Sequence, residues 1–247
     1  MRYLILSDIH GNWEALRAVL RQVRRQRFDA VLMLGDVVGY GAAPNQVVEA
    51  LRCWNRRMVS IRGNHDKVVS GVDGGEKFNH VALVAALWSR RRLTPGNLHW
   101  VRNLPQGPRE VEPGLVMCHG SPLDEDTYVF SEADAWPIFA GQGARVTFFG
   151  HTHVASYFAE GPDGRLRSVS RPRAGVLELD PDTRYLLNPG SIGQPRDRDP
   201  RASYMTYDSG RGLARWHRVA YPVAEAQSRI REAELPEVLA NRLAVGS

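Results

Sequence analysis

Cysteine is scarce in this chain: Cys53 and Cys118 are the only two among 247 residues, far apart and without C-x-x-C spacing. That excludes a disulfide framework and a thiolate zinc site, and both side chains are expected to be small buried hydrophobes. Long apolar runs are lacking too. The first, Tyr3-Leu4-Ile5-Leu6, stops at Ser7-Asp8. It is too short for a signal-peptide core or a membrane span and is broken by a carboxylate, so the expected location is the cytoplasm, with no membrane partner. No block of one charge stands out either. Lys and Arg number 32 against 27 Asp and Glu, a formal +5 with a pI near 9.5. The arginines are scattered through "RQVRRQR", "RRRL", "RPR" and "PRDRDPR". Aromatic stacking motifs of nucleic-acid modules are missing, so the basic surplus reads as solvated surface whose field helps draw in phosphate-bearing molecules. No stable nucleic-acid partner is indicated. Repeats, low-complexity segments and long linkers are also absent, which argues for one domain over 1–247.

What is present is an alternation of strand and helix. The strand Tyr3–Leu6 leads through "SDIHGN" to a helical pattern in which Trp13, Leu16, Val19, Leu20 and Val23 recur at three and four residues. "AVLML", "GDVVGYGAAP" and a helix from Asn45 to Arg57 repeat the unit, and "MVSI" followed by "RGNHD" begins it again. Such alternation predicts parallel pairing with right-handed crossovers. Residues 78–103 read as helical. "GLVMCHG" and "RVTFFGHTH" supply two further strand ends. The last third holds short strand-like runs separated by turns such as "GPDGR" and "DPDT", predicting an antiparallel extension of the core, and residues 222–243 read as a closing helix. The motif-bearing core ends near 208, and 209–247 form a C-terminal strand and helical extension.

Metal-competent residues fall at strand ends. Asp8 and His10 follow the first strand, Asp36 the second, Asn64, His65 and Asp66 the third, His119 the fourth, and His151 and His153 the fifth. In an open α/β sheet those ends share one edge, where ligands bind. Residues i and i+2 of an extended segment share a face, so Asp8 with His10, and His151 with His153, are each placed to grip a cation. Taken alone, "GHTH" is equally a polar turn. Oxygen and imidazole donors without thiolate suit manganese, iron, nickel, cobalt, zinc or magnesium. His80, His99 and His217 lie outside the clusters and read as surface or packing residues.

"DIHGN", "GDVVGYG", "GNHD", "CHGSP" and "GHTH", in that order, resemble the five motifs of the calcineurin-like metallophosphoesterase superfamily, and "NPGSIGQPRD" resembles the tail signature of its bacterial branch of predicted phosphodiesterases and phosphatases. The resemblance implies an α/β fold, a four-layer double β-sandwich flanked by helices, with a binuclear metal site on the sheet edge. Carried over motif by motif, Asp8, His10 and His153 hold a first divalent metal ion, Asn64, His119 and His151 a second, and Asp36 bridges both, with manganese the first expectation. His65 resembles the family histidine that protonates or hydrogen-bonds the leaving-group oxygen, and Asp66 is the candidate to orient its ring. Arg62 resembles a phosphate-binding arginine. The activity implied is hydrolysis of a phosphomonoester or phosphodiester by a metal-bridging hydroxide, with nucleotides or polyphosphates among the candidate substrates. Tyr40 and Tyr128 lie on loops near the expected cleft, as base-stacking or packing residues. A nuclease or nucleic-acid-binding protein is the rival suggested by the pI. A catalytically silent scaffold is the other, at odds with an intact ligand set.

Overall fold

The computed structural model describes residues 1–141, 143–170 and 175–247; the "RPR" arginines at 171 and 173 lie outside the described residues. The first half alternates as expected: β1 (Arg2–Leu6), α1 (Trp13–Val23), β2 (Ala30–Met33), α2 (Pro44–Arg52), β3 (Met58–Ser60), α3 (Asn64–Ser70), α4 (His80–Arg92) and α5 (Pro95–Arg102). Next come β4 (Arg109–Glu112), β5 (Leu115–Met117), α6 (Glu132–Gly141) and β6 (Val146–Phe148). The remainder is β7 (Ser156–Glu160), β8 (Leu166–Ser170), β9 (Val176–Glu178), β10 (Arg184–Asn188), β11 (Ala202–Asp208), β12 (Leu213–Val219), α7 (Val223–Glu232) and α8 (Glu237–Val245).

The strands form two six-stranded sheets, one in the order β3-β2-β1-β11-β12-β9 and the other β4-β5-β6-β10-β7-β8. β1, β2 and β3 pair in parallel, as do β5, β6 and β10. The late strands add on antiparallel, β11 beside β1 and β7 beside β10. Because β1 is buried on both faces, its alternate side chains enter different cores. Leu4 and Leu6 pack with Leu16, Val19 and Val48 of the covering helices. Tyr3 and Ile5 turn inward to Phe148, Leu187, Met205 and Trp216 between the sheets. Ile138 and Phe139 of α6 cover the outer face of the second sheet over Phe149, Phe158 and Leu186. The layers are therefore helix, sheet, sheet, helix, and each fully buried large side chain contributes roughly 1.5–3 kcal/mol of transfer free energy.

Several expectations are corrected. The single helix expected over 78–103 is two, because Thr94 precedes Pro95 and is pushed out of the helical region while its side chain accepts from the Asn97 N–H to cap α5. Pro236 likewise divides the closing helix into α7 and α8. The second helix stops at Arg52 rather than Arg57. "GNHD" opens a short helix, α3, and α6 went unforeseen. Cys118 is buried as expected, but Cys53 is exposed. The metal-competent strand ends come from two sheets: β1, β2 and β3 in one, β5 and β6 in the other.

Candidate metal centre

The loops after β1, β2 and β6 carry their donors on unusual backbone. Among the described residues seven non-glycine positions have positive φ, and five of them are Asp8, His10, Asp36, His151 and His153. Each such conformation costs on the order of 1–3 kcal/mol and persists only where the surroundings over-determine it. Here the loops are pinned by backbone hydrogen bonds from Asp8 to Gly35, His10 to Asp36 and Gly150 to His119. Two glycines are required by close approach. A Cβ at Gly63 would lie 2.2 Å from Asp36 Oδ1, and one at Gly39 2.7 Å from His65 Nδ1 and 2.9 Å from His10 Nδ1.

The donors gather into two groups, Asp8, His10, Asp36 and His153, and Asp36, His119 and His151, all buried. His10 Nε2 and His153 Nε2 approach to 3.0 Å, and His153 Nε2 is 3.4 Å from Asp8 Oδ1. Asp36 Oδ2 lies 3.4 Å from His10 Nε2 and 3.4 Å from His119 Nε2, so one oxygen serves both groups. Asn64 joins the second, its Oδ1 3.2 Å from His119 Nε2. Backbone carbonyls set the ring orientations, since each can only accept: Leu34 takes Nδ1–H of His119 at 2.8 Å, Gln194 takes Nδ1–H of His153 at 2.7 Å, and Asp126 takes Nε2–H of His151 at 3.1 Å. In His151 and His153 the opposite ring nitrogen is left with a lone pair facing the donors, the arrangement that fixes metal-ligating imidazoles, while His119 gains one when its second proton leaves. Asp8 Oδ1 and Asp36 Oδ2 are buried without a hydrogen-bond partner, an arrangement costly for carboxylate oxygens unless a cation satisfies them. The donor set fits divalent cations.

Electrostatics agree. Burial holds His10 and His153 well below the ordinary imidazole pKa. Burial and the neighbouring His119 bring His151 down to about 3, so these rings stand neutral at pH 7, as ligation demands. Burial raises Asp8 to about 7, against the pull of His119. Burial opposes the Asp36 charge, yet the His119, His65 and His10 rings hold its pKa well below the usual carboxylate value. His119 is the counterpart: burial opposes its charge, but Asp36 raises it to about 10. A proton on His119 thus offsets, in the metal-free chain, part of the negative charge a cation would meet.

His65 lies beside this centre. Its backbone N–H donates to Asp36 Oδ1 at 2.9 Å, and its ring packs against Tyr40 at 4.3 Å, Phe78 at 4.5 Å and His10 at 4.7 Å between centroids. Nδ1 has no partner, and burial lowers the ring to about 4, so at neutral pH it is uncharged and offers a single N–H. Asp66 does not hold that ring. Its carboxylate accepts from the N–H groups of Gly63 at 3.0 Å and Val38 at 3.2 Å, which fixes the start of α3 and reaches His65 only through the backbone. Arg62 is also placed otherwise than expected. Its guanidinium forms a fork with Glu125, at 2.9 and 3.2 Å, and that side of the fold braces the loop before Tyr128 rather than lining the cleft.

A cleft of about 230 Å³ opens over the donors, bounded by His65, Asn64, Phe78, Lys77, Tyr128 and His151 among others. Tyr128 is 44% exposed and stacks on His151 at 3.8 Å and on exposed Phe130 at 5.4 Å. Tyr40 is buried. The residue that sequence reasoning missed is Arg196: its Cζ stands 5.7 Å over the Tyr40 ring, and its charge bears on Asp8, His10, His65 and His153. "NPGSIGQPRD" was the signal, but nothing in its spacing shows that Arg196 returns to Tyr40 in the loop after β2. Asn188 of the same motif ties that segment to the "GHTH" turn by donating to the Gly150 carbonyl at 2.9 Å. Among the described residues no helix is long and apolar enough to cross a membrane.

The comparisons agree with this geometry. An uncharacterized protein of Methanocaldococcus jannaschii is 35% identical over 244 residues, covering 98% of this chain and 97% of that one. The crystal structure of a metallophosphoesterase from Sphaerobacter thermophilus superposes with a TM-score of 0.86 at 37% identity, covering 100% of this chain and 99% of that chain. The phosphodiesterase YfcE of Escherichia coli is 29% identical over 119 residues, 42% of this chain and 62% of that protein. Residues 1–155 match the family model described as calcineurin-like phosphoesterase, and the chain belongs to that family.

Proposed function

We propose that this protein is a binuclear metal-dependent phosphoesterase that hydrolyses phosphomonoester or phosphodiester bonds. The observation that carries the reading is Asp36 Oδ2, buried, without a hydrogen-bond partner and 3.4 Å from an imidazole nitrogen of each donor group. Asp8, His10 and His153 would hold one divalent cation, Asn64, His119 and His151 the other, and Asp36 both. Manganese is the first candidate for an all-nitrogen-and-oxygen set. Two such cations supply Lewis-acid polarisation of the phosphoryl group and activation of the attacking water.

The chain's own residues do the rest. Leu34, Gln194 and Asp126 carbonyls keep the ligating rings in their tautomers. His65, neutral and lining the cleft, is placed to give a hydrogen bond to the departing oxygen, and Asp66 positions it by fixing the first turn of α3. Lys77 adds positive charge at the cleft mouth, while Phe78 and Tyr128 wall it and shed water. The relative named as a phosphodiesterase supports the ester class.

The test is turnover of p-nitrophenyl phosphate and bis-p-nitrophenyl phosphate before chelation, after it, and after adding back single metals. Chelated protein is expected to be inactive and to recover best with manganese, nickel or cobalt. Full turnover by rigorously metal-free protein would end the proposal.

A further inference from the structure

Several half-buried arginines have a carboxylate. Arg62 has Glu125, Arg229 has Glu14, and Arg218 has Asp197. Arg196 and Arg242 are different. Arg196 Nη2 donates to Gln194 Oε1 at 3.0 Å and to the Tyr40 hydroxyl at 3.4 Å. Arg242, from α8, donates Nη1 to the same Gln194 oxygen at 3.3 Å. All these acceptors are neutral. The Nε of each arginine is buried without a partner, and the charge of Arg196 bears directly on Arg242. Two like charges brought to one amide oxygen, each with an unused donor, form a site that wants an anion.

Their position says which anion. The metal cleft and a neighbouring hollow of about 310 Å³, lined by His80, Val238 and Arg242, share Tyr40 and Asn79 as a common wall. Tyr40 itself touches His10 and His65. A ligand whose reacting phosphorus sat over the donors could therefore extend past Tyr40 towards the arginine pair. A single phosphate cannot occupy both places.

We propose that Arg196 and Arg242 form a second anion subsite, so that the substrate is a phosphoester bearing a further phosphate, as in a nucleoside di- or polyphosphate. This rests on the phosphoesterase reading for the bond that is cleaved, but the subsite is measurable without it. Inorganic pyrophosphate is titrated calorimetrically into the full chain after chelation, so that no bound cation contributes. Wild-type protein is expected to bind it, Arg242→Gln to weaken it roughly ten- to hundredfold, and Arg242→Lys, which keeps the charge, to recover part of the loss. Orthophosphate should bind more weakly and respond less. A purely structural tie between α8 and the core predicts the opposite pattern: lower melting temperatures in both variants with unchanged pyrophosphate affinity. That result, or no pyrophosphate binding by the wild type, overturns the proposal. With manganese restored, Arg242→Gln should raise KM for a dinucleoside polyphosphate by a similar factor and leave p-nitrophenyl phosphate within about threefold. If no ester is turned over while pyrophosphate affinity still depends on Arg242, the phosphoesterase reading fails and the subsite stands.

Discussion

Replacing Asp36 by Asn separates folding from metal binding. The wild-type carboxylate uses Oδ1 to accept the His65 N–H at 2.9 Å, while Oδ2 has no partner. An asparagine can keep the first interaction with its carbonyl and place its NH2 at the Oδ2 position, where it would face the ring nitrogens of His10 and His119 at about the 3.4 Å now separating them from oxygen. The variant loses the buried charge and, with it, the cause of the raised His119 pKa. Exchanging a buried charged pair for neutral groups is often close to neutral for stability. The chelated variant should therefore melt close to the chelated wild type, within about 1 kcal/mol. Metal affinity should collapse. Unit charges about 4 Å apart at an effective dielectric near 20 interact by about 4 kcal/mol, roughly a thousandfold in affinity. A divalent cation in direct contact loses more, so that figure is a floor, and it applies to both positions because one oxygen serves both. His153→Ala removes a donor from one group alone and should empty one position while sparing the other. Metal content by mass spectrometry after desalting, with manganese titration calorimetry, reads both variants. Two tightly held metals per chain in Asp36→Asn, with near-normal turnover, would refute the shared-oxygen argument.

Three further outcomes are expected. His65→Asn should keep its metals and lower kcat by roughly 10²- to 10⁴-fold, more for alkyl than for p-nitrophenyl esters; equal losses across leaving groups would remove the hydrogen bond to the departing oxygen from its role. Arg62→Ala, whose guanidinium is engaged by Glu125 and Gln106, should cost thermal stability through the loop before Tyr128 with KM little changed, and a large rise in KM for every ester would restore Arg62 as a substrate ligand. His217, brought from 6.5 to about 4 by burial and then Arg215, is neutral in the folded chain over a range where the unfolded chain binds a proton, so it withdraws stability as pH falls from about 6.5 to about 4. His217→Gln should flatten that part of the stability curve, measured by denaturant unfolding at several pH values; an unchanged slope would contradict the assignment.

The donors were legible because each lies within a short contiguous motif at a strand end, and contiguity is what a sequence displays. The short strand-like runs of the last third suggested a second sheet packed on the first, but not its membership: strand and helix alternation placed all five motif-bearing ends on one open sheet, whereas β5 pairs with β6 and β6 with the late strand β10 in the other. The differences between expected and observed side-chain placement have one physical origin. Arg62 was expected at the phosphate because it precedes "GNHD", but its partner Glu125 is 63 residues later. Arg196 was passed over because its neighbour Tyr40 is 156 residues earlier. Asp66 adjoins His65 in sequence, yet helical geometry turns its carboxylate back on Gly63. Long side chains choose partners in space, and no local pattern encodes that choice.

Each donor group draws on both sheets: Asp8, His10 and Asp36 come from one and His153 from the other, while Asp36 meets His119 and His151 across the same lip. A bound cation would therefore act as a rivet through the rim of the sandwich, adding to the hydrogen bonds that already tie the two layers there, such as those from His119 to the Leu34 carbonyl and from the His151 N–H to Asp8. Neither sheet carries a complete group, so a fragment ending before β5 would retain the first three motifs and still lack His153 of the first group and both His119 and His151 of the second. Under the proposed metal binding the lip would open only after the ions leave, which would make loss of metal the gate to unfolding from this side.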